Sequence, residues 1–456
     1  MHLKYFFLRF ILFTSNLQLL KNSIVILLLF SLVISLSSSC NNSDKSITNT
    51  LFESLSADQT NIDFQNTLNY TNEFNIYKYR NFYNGGGIGL GDVNNDGLMD
   101  VYFTANLLSN KLYLNKGNFT FEDVTDFAKV GGKRAWSTGV SMVDINADGW
   151  LDIYVCNSGD VKGDKKQNEF FINNQDGTFS EKAEEMGLAD PGYSTHAAFF
   201  DYDKDGDLDV YLLNNSYRSI GSFNLGKNER PIRDELGGDK LLRNDDNSFT
   251  DVSKEAGIYG SVIGFGLGVS TSDLDKDGWL DLYISNDFFE KDYLYMNNRD
   301  GTFREELEKQ IRSISAASMG SDVADITGDG YPEIFVTEML PEGDKRLKTT
   351  MTFEDWNKYQ YKLENGYYHQ FTRNMLHRNN GVIPGKGVTF SEVGRLSGVE
   401  ATDWSWSALI ADLDNDSYKD FYIANGISQD ILNQDYLKYV ASEEVVRMVV
   451  EDNVVD

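Results

Sequence analysis

One nine-residue pattern occurs six times in this 456-residue chain and restricts its fold more than any other feature. Its first, third and fifth places carry oxygen-bearing side chains, its sixth is Gly in five copies, and its ninth is acidic in all six. The first copy supplies Asp92, Asn94, Asp96, Leu98 (seventh place) and Asp100; the second, Asp144, Asn146, Asp148, Trp150 and Asp152. The third has Asp201, Asp203, Asp205, Asp207 and Asp209, and the fourth Asp273, Asp275, Asp277, Trp279 and Asp281. The fifth has Asp325, Thr327, Asp329, Tyr331 and Glu333; the sixth has Asp412, Asp414, Asp416, Tyr418 and Asp420, with Ser417 where Gly is expected. The starts lie 52, 57, 72, 52 and 87 residues apart, which fits a period near 52 with two insertions. Self-similarity at such a period is the mark of a repeat architecture.

The flanks say which one. A run of small or apolar residues precedes the loops, as in TGVSMV and WSALIA, and a β-branched and aromatic run follows, as in DVYFTAN, DIYVCN and DLYISN. That is strand chemistry. Further on comes a polar turn, as in FINNQDGTFSEKA and YMNNRDGTFREEL, and Asp-Gly or Asn-Gly between apolar runs signals a hairpin. Each unit reads as about four short antiparallel strands, the make-up of a propeller blade. The expected class is all-β.

Alternate oxygen donors followed by a sharp turn suit a loop that wraps a hard cation. The seventh place offers only its backbone carbonyl, so its side chain is free to vary, and it does. An EF-hand would need a bidentate Glu at place twelve. Phe103, Val155, Leu212, Ile284, Val336 and Ile423 stand there, which excludes it. Protein oxygens in a flexible loop favour Ca²⁺ over Mg²⁺, which tends to keep its waters. Asp also forms turns without binding anything, but six loops in register point to metal. Acidic residues number 70 against 41 basic ones, a net charge of −29. About six structural Ca²⁺ ions would relieve the repulsion inside the loops. The same charge argues against a nucleic-acid partner and against electrostatic docking on anionic lipid.

The N-terminus reads as a targeting segment. Ile24–Leu36 is apolar for 13 residues, shorter than the span of about 20 a membrane helix needs and within the 7–15 of a signal peptide. Lys21 precedes it, and Ser37, Ser38, Ser39 and Cys40 follow. The stretch resembles a bacterial lipoprotein signal with Cys40 as the lipidated residue, although Leu36 sits four places before the Cys rather than three. Ordinary secretory cleavage nearby is the alternative. Residues 1–40 are therefore set apart, with 41–61 as a linker. Two cysteines, Cys40 and Cys156, exclude a disulfide framework.

The six loops, the turns at Asn173 and Asn297, and the stretches SMGSDVADITGDGYPEIFVTEMLPE (318–342) and ATDWSWSALIADLDNDSYKDFYIANG (401–426) resemble the FG-GAP/VCBS repeat proteins, and among these the bacterial surface proteins that carry an ASPIC/UnbV module. The resemblance covers residues 62–430. It implies an integrin α-like β-propeller, seven-bladed in the family, with Ca²⁺ in loops on one face. Here six blades are recognisable and the C-terminal module is absent, so the ring is six-bladed or the frame is truncated. Residues 341–376 read as a charged, aromatic, partly helical insertion projecting from the fifth repeat, and 431–456 as a helical tail.

Eight places before the loops stand Trp136, Tyr193, Phe265 and Trp404, with Trp406 close by. They form either an aromatic ligand face away from the metal or packing between blades. His196, where other repeats carry Gly or Ser, either lines the channel or is structural. The function expected is an exported, outer-membrane or cell-surface module, alternatively periplasmic or secreted, that binds a glycan or a surface protein and touches membrane only through a lipid anchor. No catalytic constellation is present: there is no G-x-S-x-G and no P-loop. A polysaccharide lyase or hydrolase on the same propeller, or a scaffold needing a partner's blade, are the alternatives.

Overall fold

The computed structural model describes residues 50–76, 78–218, 226–351, 356–427, 433–440 and 442. The targeting segment with Cys40, linker residues 41–49 and most of the tail lie outside them. All the strands belong to one compact unit, Leu55–Asp456.

The expected repeat of strands is present. The first sheet runs β1 (Ile88–Gly91), β2 (Asp100–Phe103), β3 (Lys111–Asn115) and β4 (Phe121–Asp123), antiparallel and in chain order. The second has β5 (Ser137–Val143), β6 (Asp152–Asn157), β7 (Glu169–Asn173) and β8 (Phe179–Glu181). The third has β9 (Ser194–Phe200), β10 (Asp209–Asn214), β11 (Lys240–Asn244) and β12 (Phe249–Asp251). The fourth has β13 (Gly266–Ser272), β14 (Asp281–Asn286), β15 (Tyr293–Asn297) and β16 (Phe303–Glu305). After β17 (Ile314–Ser315), the fifth sheet uses β18 (Ser321–Ala324), β19 (Glu333–Val336), β21 (Met375–Ile383) and β22 (Gly387–Glu392). The insertion contributes β20 (Gln370–Phe371), which pairs in parallel with β17. The sixth repeat shows two strands among the described residues, β23 (Ser405–Ala411) and β24 (Asp420–Asn425). Each acidic loop joins the first two strands of its sheet.

First strands neighbour one another in series: β1 by β5, β5 by β9, β9 by β13, β13 by β18, and β18 by β23. This is an all-β, propeller-like arrangement. Small residues make the approach possible. A Cβ on Gly139 would lie 2.4 Å from the Thr195 carbonyl oxygen, and Gly87, Gly268 and Gly320 face the next strand's backbone in the same way. His196 holds the matching place in β9 and packs its ring against Gly139. The core lies between sheets. Strands β6, β10 and β14 are buried along their whole length, because each is covered on both faces.

The two end repeats are less covered. Ile88 and Leu90 on β1 are 64% and 61% exposed, and Leu409 on β23 is 50% exposed. The insertion is partly helical, with helices Asp344–Thr350 and Trp356–Glu364. Instead of projecting, its far end folds back: the Gly366 carbonyl accepts from Asn228 and Arg230, and Tyr367 is buried with Val262 and Ile263.

Candidate metal loops

Five of the six loops share one hydrogen-bond plan. In the first, Asp92 takes the N–H groups of Asp96 (3.1 Å) and Gly97 (2.8 Å), and Asp96 takes that of Leu98 (2.9 Å). Loops two, four, five and six repeat this on Asp144, Asp273, Asp325 and Asp412. The plan needs left-handed backbone at the sixth place. Ser417 adopts it at φ 75°, so the loop closes without Gly there, at a strain Gly would not carry.

The ninth-place acid is the buried anchor. Asp281 accepts from Leu274 N–H inside its loop (3.0 Å) and from Asn297 N–H at the end of β15 (2.8 Å). Asp100, Asp152 and Asp209 do the same with Asn115, Asn173 and Asn244. Burial disfavours the charged form of these carboxyls and lifts Asp152 to about 6, Asp209 to about 7 and Asp281 to about 8. It also raises Asp100, Asp203, Asp275 and Glu333. Asp207 rises to about 6, again chiefly through burial, helped by Asp205.

In three loops, carboxylate oxygens converge within 4.8 Å of one another: Asp201, Asp203 and Asp209; Asp273, Asp275 and Asp281; and Asp412, Asp414 and Asp420. In the first and second loops the third place is Asn94 or Asn146, and in the fifth it is Thr327. The third loop departs most from the plan. One oxygen each of Asp201, Asp203 and Asp207 is buried with no hydrogen-bond partner, as are Asp275 Oδ1 and Glu333 Oε1. Unpaired buried carboxylate oxygens are costly, and an all-oxygen donor set of this kind fits a hard divalent cation.

Sequence reasoning missed the latches between loops. Asn173 Nδ2, at the end of β7, donates to the Val93 carbonyl in the preceding repeat's loop (2.8 Å). Asn297 does so to Tyr202 (2.8 Å), and Asn379 to Leu274 (3.0 Å). In the sequence these Asn residues carry only a hairpin signal, and nothing local marks their reach to another repeat.

The aromatic residues sit at the far ends of the same strands. Trp136 is fully buried and packs edge-on to Phe74 and Tyr79. Phe265 is buried edge-on to Phe288. Tyr193, also buried, lies beneath Lys166 and beside the exposed Tyr217 ring. Trp404 and Trp406 are half-buried, 6.5 Å apart.

The FG-GAP-like repeat family matches residues 92–155, 157–212 and 273–336, which hold the first five acidic loops. The chain carries FG-GAP-like repeats. It is similar to cartilage acidic protein 1 of Xenopus tropicalis, 29% identical over 215 residues, covering 45% of this chain and 29% of that protein. The Homo sapiens protein of that name is 28% identical over 210 residues, covering 45% and 28%. The matched part thus spans under a third of these relatives' length. Among solved structures, it is similar to an Agrocybe aegerita lectin described as recognising non-reducing terminal N-acetylglucosamine, at 16% identity and TM-score 0.41, covering 73% of this chain and 72% of that one. It is also similar to the V. cholerae biofilm matrix protein Bap1, at 13% identity and TM-score 0.31, covering 56% and 34%.

Proposed function

We propose that the protein is an exported, calcium-loaded propeller that works as a surface adhesion or ligand-binding module, tethered through Cys40. The observation that carries the metal half is the set of buried, unpartnered carboxylate oxygens in the third loop, on Asp201, Asp203 and Asp207. A divalent cation supplies the missing partner, and Ca²⁺ accepts several protein oxygens more readily than Mg²⁺ does. Calcium here is structural: it holds each loop in the shape that joins two strands and, in the first, third and fourth loops, receives a neighbouring repeat. The binding half is supported by the FG-GAP-like repeats and by the aromatic and polar residues at the strand ends away from the loops. The ligand is a glycan or a protein on another surface. The test is a metal count by mass spectrometry with a thermal melt in calcium and in chelator, followed by a glycan and protein-ligand screen of the loaded protein. Calcium-independent melting overturns the metal reading, and a screen without a saturable ligand overturns the binding reading.

A further inference from the structure

At the strand ends away from the loops, a cavity of about 160 Å³ is bounded by Tyr79, Tyr193, Asn215, Tyr217 and Phe265. Asn215 is 1% exposed, and both its Oδ1 and its Nδ2 lack any hydrogen-bond partner. A buried carboxamide with donor and acceptor both unmet costs free energy unless something pairs with it.

The first repeat shows what pairs with its counterpart. Asn106 follows Asp100 by the same interval as Asn215 follows Asp209, and each bridges to the aromatic residue of the next repeat, Trp136 or Phe265. Asn106 is satisfied. Its Oδ1 accepts from Asn66 Nδ2 (2.9 Å), its backbone N–H donates to Asn66 Oδ1 (2.9 Å), and its Nδ2 donates to the Ser137 carbonyl (2.8 Å). Asn66 belongs to a stretch in which alternate residues, Ile62, Phe64, Asn66 and Leu68, are half-buried while those between are exposed. Period-two burial is how an extended peptide reads a surface. Phe64 stacks on Phe103, and Leu68 joins the Trp136 cluster. The same stretch leads on to Ile76 and Lys78, which line the Asn215 cavity.

Resting on the module reading above, we propose that the Asn215 cavity is a docking site for an extended peptide segment of a partner protein, which inserts an Asn or Gln side chain. The incoming carboxamide donates to Asn215 Oδ1, as Asn66 Nδ2 donates to Asn106 Oδ1, and accepts from Asn215 Nδ2, because the Asn215 backbone N–H is already given to the Tyr193 carbonyl. The exposed Tyr217 ring, 5.1 Å from Tyr193, flanks the entrance as an apolar wall. The cavity's volume suits one side chain rather than a larger ligand.

The probe is the peptide acetyl-Phe-Gln-Asn-Thr-Leu-amide, titrated into the calcium-loaded full chain by saturation-transfer NMR and, with a fluorescent label, by anisotropy. A variant peptide with Leu for Asn, the protein variant Asn215→Leu and a panel of methyl glycosides run in parallel. Each Leu replacement is expected to weaken binding about tenfold. Asn215→Leu should melt no lower than the parent, because it removes an unpaired group; Asn106→Leu should melt lower. Peptide binding indifferent to both replacements overturns the proposal. So does glycoside binding that Asn215→Leu abolishes, although that result leaves the module reading standing. If neither probe binds at any site, the module reading falls as well.

Discussion

Stripping the metal should make the protein's stability depend on pH in a direction opposite to ordinary acid denaturation. Asp209 and Asp281 are 0% and 2% exposed, and burial pushes them to about 7 and about 8 from 3.8. A raised carboxyl means that the metal-free folded state holds more protons than the unfolded chain. Its stability is then complete below pH 3.8 and drains away as pH climbs through 7 and 8. Between pH 5 and 7 each group costs about 1.4 kcal/mol per pH unit, so the two together remove about 5 kcal/mol. That rivals the whole stability of many domains and, for a unit running from Leu55 to Asp456, corresponds to a fall of about 6 °C in melting temperature. Calcium reverses the sign, since it holds its ligands ionised and binds better as pH rises. Thermal melts at pH 5 and 7, with chelator or with excess calcium, test this. If the chelated protein melts alike at both pH values, or if the same fall persists in calcium, the linkage argument is refuted.

Asp281→Asn should raise the melting temperature of the chelated protein at pH 7 while reducing the gain on adding calcium, read by the same melts. Gly139→Ala should destabilise by about 1–3 kcal/mol or more in urea unfolding, because its Cβ would lie 2.4 Å from the Thr195 backbone oxygen. Ser417→Gly should stabilise by about 1 kcal/mol, since Ser417 holds a φ of 75°. Trp136→Ala should cost about 3–5 kcal/mol, measured by denaturant unfolding, as expected for a core residue.

The repeat was legible because it is written twice over, in the spacing of Asp residues and in the strand chemistry on either side. Nine residues fix a loop through their own side chain to backbone bonds, so Asp92 through Asp100 could be read without the rest of the chain. What could not be read were contacts set by register between distant residues. Nothing local distinguishes Asn173, which reaches Val93, from any hairpin Asn. Nor does the sequence separate Trp136, spent on packing against Phe74 and Tyr79, from Tyr217, whose ring is exposed. Both are aromatic residues near strand ends, and only the placement of Phe74 and Tyr79 on that face decides between them.

The latches change what a metal ion in one loop can do. The Val93 carbonyl that receives Asn173 belongs to the residue whose N–H is held by Asp100. Tyr202, held by Asp209, receives Asn297, and Leu274, held by Asp281, receives Asn379. The second residue of each of these loops is thus fixed on one side by its own buried acid and on the other by a partner repeat. A cation that orders the acid also orders the carbonyl that the partner uses. On the calcium reading proposed above, metal binding and the docking of repeats are one equilibrium, and loss of the ion from a middle loop should loosen two sheets rather than one.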